Sequence, residues 1–445
     1  MAELLKHAYD ETYIQRLADA LKAAGGQIKK EEFCDAVFAE EWDELELKER
    51  MRKIRGTIHD QLALPYKEAT EILMIAARGF GGFEGMLFPD YVQVHGLDSW
   101  GQSMKTLSVL TTFSSSEFAI RPFISQNQVK AMKQLLSWSK NKNFHVRRLA
   151  SEGCRPRLPW APALPELKKD PSSIIPILEN LITDESLYVR KSVANNLNDI
   201  SKDHPQLAIS LGKKWIKNAN PDTRWIVKHG LRGLLKKGEK SALGLFGYGS
   251  PSLFTNHAFQ LESPLVVMEE NLEFSFSFTL KKKCSTRLEY ALYFLKKNGS
   301  HTKKVFKLSE KEMVEGEHYG KKCHHFKKIN TRVYHEGLHF IELIVNGVPF
   351  GRAPFYLMMK APTYVTYMFL TERGTIYTGV TTDLNRRFHE HRSGIKGAKY
   401  TKANKPEKLI FLEAAANRSI AQKKESQLKS LSRIKKEKLS WLKDL

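Results

Sequence analysis

Phe144-His145-Val146-Arg147-Arg148-Leu149-Ala150 and Leu187-Tyr188-Val189-Arg190-Lys191-Ser192-Val193-Ala194 are two versions of one phrase. Each sets an aromatic residue just before a Val-Arg pair and continues with small and apolar residues at helical spacing. Arg190 lies 43 residues after Arg147, and a looser third copy, Asp222-Thr223-Arg224-Trp225-Ile226-Val227, puts Arg224 another 34 residues on. A repeat near forty residues with this periodicity predicts stacked helix pairs. One pair cannot bury its apolar face alone, so neighbours close a continuous core and leave a concave wall. Outward from the repeat, Tyr13, Leu17, Leu21 and Phe33, Val37, Phe38 keep the same spacing, so the helical reading runs from residue 1 to about 245.

Beyond it the period drops to two. Leu272-Glu273-Phe274-Ser275-Phe276-Ser277-Phe278-Thr279-Leu280 alternates apolar and polar, as a half-buried strand does. Asn298-Gly299 and Asn346-Gly347 each separate two such runs, a strong hairpin signal. After Ala361-Pro362 the pattern mixes two strands, a loop and helices. The 445 residues are 42% hydrophobic and 27% charged, which excludes a disordered or collagenous chain. Lys+Arg number 71 against 49 Asp+Glu, a net charge of +22 that points to a polyanionic partner, nucleic acid before membrane. Four scattered cysteines form no CxxC pair, which argues against a zinc module and a disulfide framework. The N-terminal residues have no secretory pattern, and no apolar run reaches the roughly 18 residues a bilayer requires. The expected compartment is the cytoplasm, at the nucleoid.

The repeats are of the HEAT type, whose ordinary use is protein binding; their charge argues for another use here. Arg224, Lys228 and Arg232 are spaced as one stripe of one helix face, and Arg147, Arg148, Arg155 and Arg157 crowd a short loop. Arginines and lysines on a concave wall follow phosphates without reading sequence. The loop Ser151-Glu152-Gly153-Cys154-Arg155-Pro156-Arg157-Leu158-Pro159-Trp160-Ala161-Pro162 places a carboxylate and an indole near two arginines. Asn195-Asn196-Leu197-Asn198-Asp199 supplies a second polar cluster one repeat later. In-register stacking would bring both to one face.

These stretches, VRRLASEGCRPRLPWAPALPEL and YVRKSVANNLNDISKDHP, resemble the AlkC branch of the HEAT-like DNA glycosylases over about residues 1 to 240. The resemblance implies removal of cationic alkylated bases such as 3-methyladenine and 3-methylcytosine. It assigns catalytic carboxylates to Glu152, Asp199 and Glu117 of FSSSEFAIRPF, and the aromatic residue of the site to Trp160. It implies DNA contacts for Arg147, Arg148, Arg155, Arg157, Arg190, Arg224, Lys228 and Arg232, and no cofactor for base removal. The chemistry suits these residue types: charge that builds on a sugar as its glycosidic bond breaks is stabilised by a neighbouring carboxylate. An indole adds cation–π attraction of about 0.5–2 kcal/mol. By position and strand spacing, residues 250 to 360 resemble the Ig-like domain that some AlkC proteins carry.

The last segment holds a second chemistry. Tyr364 to Leu370 and Ile376 to Thr381 read as a hairpin, and Thr382 or Asp383 can cap the helix that carries Arg387 and His391 on one face. With YTGVTTDLNRRFHEH and GAKYTK, residues 362 to about 440 resemble the small bacterial GIY-YIG nucleases. Val365-Thr366-Tyr367 stands for the GIY element and Tyr377-Thr378-Gly379 for the YIG element. The resemblance implies that Arg387 neutralises the phosphate, that Tyr367 or Tyr377 orients or deprotonates the attacking water and that Glu425 holds a divalent metal, Mg²⁺ or Mn²⁺; His391, on the face of Arg387, is expected to be catalytic with them. Lys396, Lys399, Lys402 and Lys405 add to a segment that carries about +10, a DNA-facing surface.

The fold expected is therefore multidomain: an all-α HEAT-like solenoid over residues 1–247, an all-β Ig-like sandwich over 248–361 and a small α/β GIY-YIG domain over 362–445. The function expected is a glycosylase joined to a nuclease that incises the product, acting as a monomer on double-stranded DNA with alkylated bases or abasic sites. The rival expectation is a non-catalytic HEAT-repeat DNA-binding scaffold carrying a structure-specific nuclease.

Overall fold

A computed structural model describes residues 5–39, 41–217, 219–330, 332–395 and 398–441. The chain divides into two compact units, residues 1–234 and 235–445.

The first unit is helical. Its N-terminal helices are α1 (Glu11–Ala23), α2 (Lys30–Val37), α3 (Leu47–Leu62), α4 (Tyr66–Ala76), α5 (Leu87–His95), α6 (Trp100–Leu110) and α7 (Arg121–Gln126). The repeats follow as α8 (Gln128–Trp138), α9 (Phe144–Gly153), α10 (Pro165–Lys169), α11 (Ile175–Leu181), α12 (Leu187–Asp203), α13 (Pro205–Ile216) and α14 (Pro221–Gly230). Apolar residues at helical spacing line the core, among them Val146, Leu149, Val189, Val193, Leu197 and Ile226. Side-chain caps start several helices: Asn143 accepts from the amide of His145, and Asn220 from that of Thr223. The repeated arginine has a repeated job. Arg147 makes a two-pronged pair with Asp184 (2.6 and 3.1 Å), and Arg190 meets Asp222 at 3.3 Å. Each ties the second helix of one repeat to the turn that opens the next.

The cationic stripe predicted on one helix is broken. α14 ends at Gly230, and Arg232 opens a separate short helix, α15 (Arg232–Lys236). The cause is close packing: a Cβ on Gly230 would lie 2.6 Å from Leu197 Cδ2, so the helix ends pressed onto α12.

The second unit starts earlier than the expected boundary at residue 247. α16 (Lys240–Leu245) groups with it because Gly238 lies against Gly347, where a side chain would overlap backbone, and Tyr248 bridges to Ser285. The strands are β1 (Phe254–Leu261), β2 (Leu265–Val267), β3 (Asn271–Leu280), β4 (Cys284–Leu295), β5 (His301–Met313), β6 (Gly316–His325), β7 (Gly337–Val345) and β8 (Val348–Met358). They form a sheet of order β1-β3-β6 and one of order β2-β8-β7-β4-β5. The alternation read in β3 holds: Leu272, Phe274, Phe276, Phe278 and Leu280 enter one core with Leu288, Leu292, Ile341, Leu343 and Val345 of the other sheet. Asn346 and Gly347, with φ of 46° and 77°, make the two-residue turn between β7 and β8.

The remaining elements are β9 (Tyr364–Thr371), β10 (Ile376–Thr381), α17 (Leu384–Ser393), α18 (Lys399–Ala403), β11 (Pro406–Ala415), α19 (Arg418–Ser430) and α20 (Arg433–Leu439), with β9 central in the order β10-β9-β11. Their core is shared with the sandwich: Leu265 of β2 and Met358 of β8 pack with Val365, Tyr367, Phe369, Leu384 and Phe388. The Asn385 amide donates to Leu265 O at 2.9 Å and accepts from Leu265 N at 3.3 Å. Among the described residues, no helix is long and apolar enough to cross a membrane.

Two imidazoles in this unit, His339 and His391, are buried and a third, His324, is half-buried. Desolvation pushes His324, His339 and His391 down from 6.5 to about 4. The unfolded chain takes up these protons near pH 6.5 and the folded one only near 4. The stability they contribute is therefore complete above pH 6.5 and is lost as pH falls toward 4. Scanning calorimetry of the full chain should show the melting transition of this unit falling from about pH 6.5 downward, before ordinary carboxylates titrate.

Candidate functional site

In the helical unit the site is assembled where α9 and α12 touch. Ser151 and Ser192 meet through their hydroxyls at 2.6 Å, and the Asn196 amide donates to Ser151 O at 2.8 Å. This stitching sets Glu152, near the end of α9, beside Asp199 of α12. Both are buried, at 5% and 1% exposed. Arg155 joins them: its Nη1 donates to Glu152 Oε1 at 2.6 Å and its Nε to Asp199 Oδ2 at 2.9 Å. Arg148 reaches Glu152 Oε1 at 3.5 Å, pairs with Glu117 and takes Ser115 Oγ at 2.6 Å. Lys202, half exposed, holds the other oxygen of Asp199 at 2.9 Å. Glu117, Arg148, Glu152, Arg155, Asp199 and Lys202 thus alternate in sign along one chain of contacts. Three carboxylates are held within it, each against a cation, so none is an isolated buried charge.

The three predicted carboxylates come together. The predicted arginines divide. Arg148 and Arg155 are inside the cluster, and Arg147 and Arg190 are the inter-repeat ties, so these four cations already have carboxylate partners. Arg157 pairs with Asp203 at 2.6 Å near the surface. Arg224 is exposed, Lys228 is part-exposed, and Arg232 donates to Asn195 Oδ1 at 3.1 Å. Trp160 is 63% exposed, with its ring edge-on to Phe83 at 5.8 Å. Ser115, Lys202 and Tyr188, whose ring lies 4.8 Å from the Arg148 guanidinium carbon, were not anticipated. Lys202 was readable, three residues after Asp199 on one helix face, and Tyr188 stands in the first turn of that same helix; Ser115 comes from the segment before α7 and left no spacing signal.

The second constellation lies across β9, β10 and α17. Tyr367 pairs in register with Gly379, where a Cβ would stand 2.5 Å from the Tyr367 hydroxyl oxygen; only glycine leaves that room. The Tyr367 hydroxyl meets His391 Nε2 at 3.1 Å, and His391 Nδ1 meets Thr401 Oγ1 at 2.5 Å. Burial raises the Tyr367 hydroxyl well above its ordinary range, against the pull of a hydrogen bond to Arg387, so it stays protonated. Asp383 caps α17, and the Arg387 guanidinium also pairs with Glu390 at 2.9 Å. The Tyr377 ring stands 4.9 Å from that of His391, half-buried. Glu425 of α19 lies near enough to Tyr367 to raise its hydroxyl and pairs with Lys429 at 2.8 Å. Tyr367, Tyr377, Arg387 and His391 are therefore neighbours, and α19, which carries Glu425, packs against β9 and β10. Lys399 is exposed at the start of α18; Lys396 lies outside the described residues.

Removing the cation between the two buried carboxylates takes from each its bridging partner, leaving Asp199 to half-exposed Lys202 and Glu152 to Arg148 at 3.5 Å. Arg155→Met is expected to cost about 3–5 kcal/mol, measured by urea unfolding, and a further Asp199→Asn to recover part of that loss.

Three segments of the chain match known protein families. Residues 104–234 match the DNA alkylation repair enzyme family, 255–359 the C-terminal Ig-like domain of the uncharacterised protein YhaZ, and 363–438 the GIY-YIG catalytic domain. YhaZ of Bacillus subtilis is 46% identical over 344 residues, covering 77% of this chain and 96% of the relative. The UPF0213 protein DP2720 of Desulfotalea psychrophila is 41% identical over 78 residues, 18% of this chain and 71% of the relative. The alkylpurine DNA glycosylase AlkC of Pseudomonas fluorescens, solved bound to DNA containing an abasic site analog, superposes with a TM-score of 0.76 at 35% identity over 80% of this chain and 99% of its own. With its paired carboxylates on adjoining repeat helices, its β-rich middle and its tyrosine-histidine-arginine cluster, the chain belongs to the AlkC family of DNA alkylation repair proteins and carries a GIY-YIG domain behind the Ig-like one.

Proposed function

We propose that the helical unit hydrolyses the N-glycosidic bond of cationic alkylated bases, of the 3-methyladenine and 3-methylcytosine type, and that the GIY-YIG domain then incises the strand. The observation that carries the first half is the placement of Glu152 and Asp199 on one guanidinium, beside Glu117. N-alkylation weakens the glycosidic bond, and as it breaks positive charge builds on the deoxyribose. Preorganised carboxylates stabilise that charge and orient the attacking water. Lys202 is the exposed member of the cluster; a phosphate of bound DNA that draws it away frees an oxygen of Asp199 for the sugar. Trp160 offers its exposed ring to the sugar or the cationic base. Arg157, Arg224, Lys228, Arg232 and Lys399 are the cations proposed to follow phosphates. This half needs no metal, and the chain works as a monomer on double-stranded DNA.

For the second half, the residues fit a divalent ion such as Mg²⁺ or Mn²⁺. Glu425 is a part-exposed carboxylate next to the tyrosine cluster, and a hard ion that keeps most of its waters requires little more from the protein. Such an ion, when bound, polarises the phosphate and stabilises the leaving oxygen. Arg387 neutralises the phosphate. Tyr367, held protonated, orients His391 and Arg387, while half-buried Tyr377 is the tyrosine open to the attacking water.

The test is a duplex with one 3-methylcytosine or 3-methyladenine, resolved before and after hot alkali. The full chain should cut without alkali when Mg²⁺ is present. Glu425→Ala should restrict cleavage to the alkali-treated lane. Asp199→Ala should slow base release by about 10²–10³-fold. Absence of base release, with no effect of Asp199→Ala, would leave a DNA-binding scaffold.

A further inference from the structure

Trp160 stands in a backbone conformation that its residue type seldom adopts: its φ is 64°, in the left-handed region. Such a strained position persists only when its surroundings hold it, and it is a pointer to use rather than to packing. Packing does not hold Trp160. The side chain is 63% exposed, and the loop it belongs to spans a cavity of about 290 Å³ whose lining includes Met51, Met86, Phe118, Trp160 and Leu164. What holds it is polar and comes from elsewhere. The Lys48 ammonium, on α3, donates to the Trp160 carbonyl at 2.5 Å and lies 5.3 Å from the Phe118 ring centroid. Phe83 meets the indole edge-on at 5.8 Å, and Arg121 Nη2 takes the carbonyl of Pro162 two residues later at 2.6 Å.

We infer that Lys48 is a positioning residue for base removal: by fixing the Trp160 carbonyl it holds the left-handed turn that presents the indole at the cavity lined also by Ser115, the hydroxyl partner of Arg148. α3 lies outside the segment matched to the alkylation repair family, residues 104–234, so this gives the N-terminal helices a part in the chemistry. A lysine suits the task. Its single charged head reaches across an open cavity, and the Phe118 face below stabilises the ammonium where it stops. The inference rests on the proposed use of Trp160 in base removal.

The experiment separates the clamp from that use. The full chain is labelled with 5-fluorotryptophan, and the Trp160 resonance is assigned by its loss in Trp160→Phe. Lys48→Met should shift or broaden that resonance, leave the other six tryptophans in place, and slow single-turnover base release by about ten- to a hundredfold with little change in DNA affinity. Lys48→Arg should restore most of the rate. In a Trp160→Ala background, Lys48→Met should cost nothing further, because the residue acts through the indole. An unmoved Trp160 resonance, or a full additional loss in the Trp160→Ala background, would overturn the inference. A moved resonance with unchanged base release would keep the clamp and overturn the role of Trp160 in the reaction.

Discussion

Burying Glu152 and Asp199 strips water from two carboxylates, and the Arg155 guanidinium that both of them bind makes that arrangement stable. The desolvation of any one of these charges is costly; the three together are tolerable because each oxygen aimed inward meets a donor. The consequence reaches beyond stability. Both carboxylates are fixed in orientation by their shared donor, and in the reaction proposed for this unit that spares the free energy of turning them as charge develops on the sugar. Arg148 extends the same logic to Glu117, and the Tyr188 ring stabilises Arg148 from its other face.

The arrangement depends in turn on the spacing of the repeats. Arg147 to Asp184 and Arg190 to Asp222 are the same tie made twice: the first helps hold the register at which α9 meets α12, the second that at which α12 meets α14. Ser151, Ser192 and Asn196, small and polar at the contact, let the helices approach closely enough for Arg155 to span to Asp199. Charges that look like a DNA-facing wall in the sequence are thus partly the framework of the solenoid, and the cations proposed to follow phosphates are those nearer the surface.

Much of this was legible from residues alone. The 43-residue repeat of Val-Arg announced the helix pairs, and the strict alternation of β3 and the two Asn-Gly turns announced the sandwich, because periodicity and turn chemistry are local properties. Glu117, Glu152 and Asp199 were legible as a set through resemblance, whereas their link through Arg155 was not: its role depends on a contact across 44 positions. The stripe of Arg224, Lys228 and Arg232 was misread as one helix because Gly230 ends α14 through a tertiary contact with Leu197 that no spacing encodes. Likewise, Gly238 beside Gly347 draws residues after 234 into the second unit, a pairing invisible until the chain is folded.

Asn385 grips the backbone of Leu265 by both its amide N–H and its carbonyl, in the manner of a neighbouring strand. It sits on α17 two residues before Arg387, and the side chain of Leu265 enters the same apolar cluster as Tyr367. The last domain is therefore soldered to the sandwich rather than hung from it. Whatever orientation the sandwich takes, Arg387 must follow in step, so in the proposed incision its choice of target phosphate is a matter of geometry, not of diffusion on a leash.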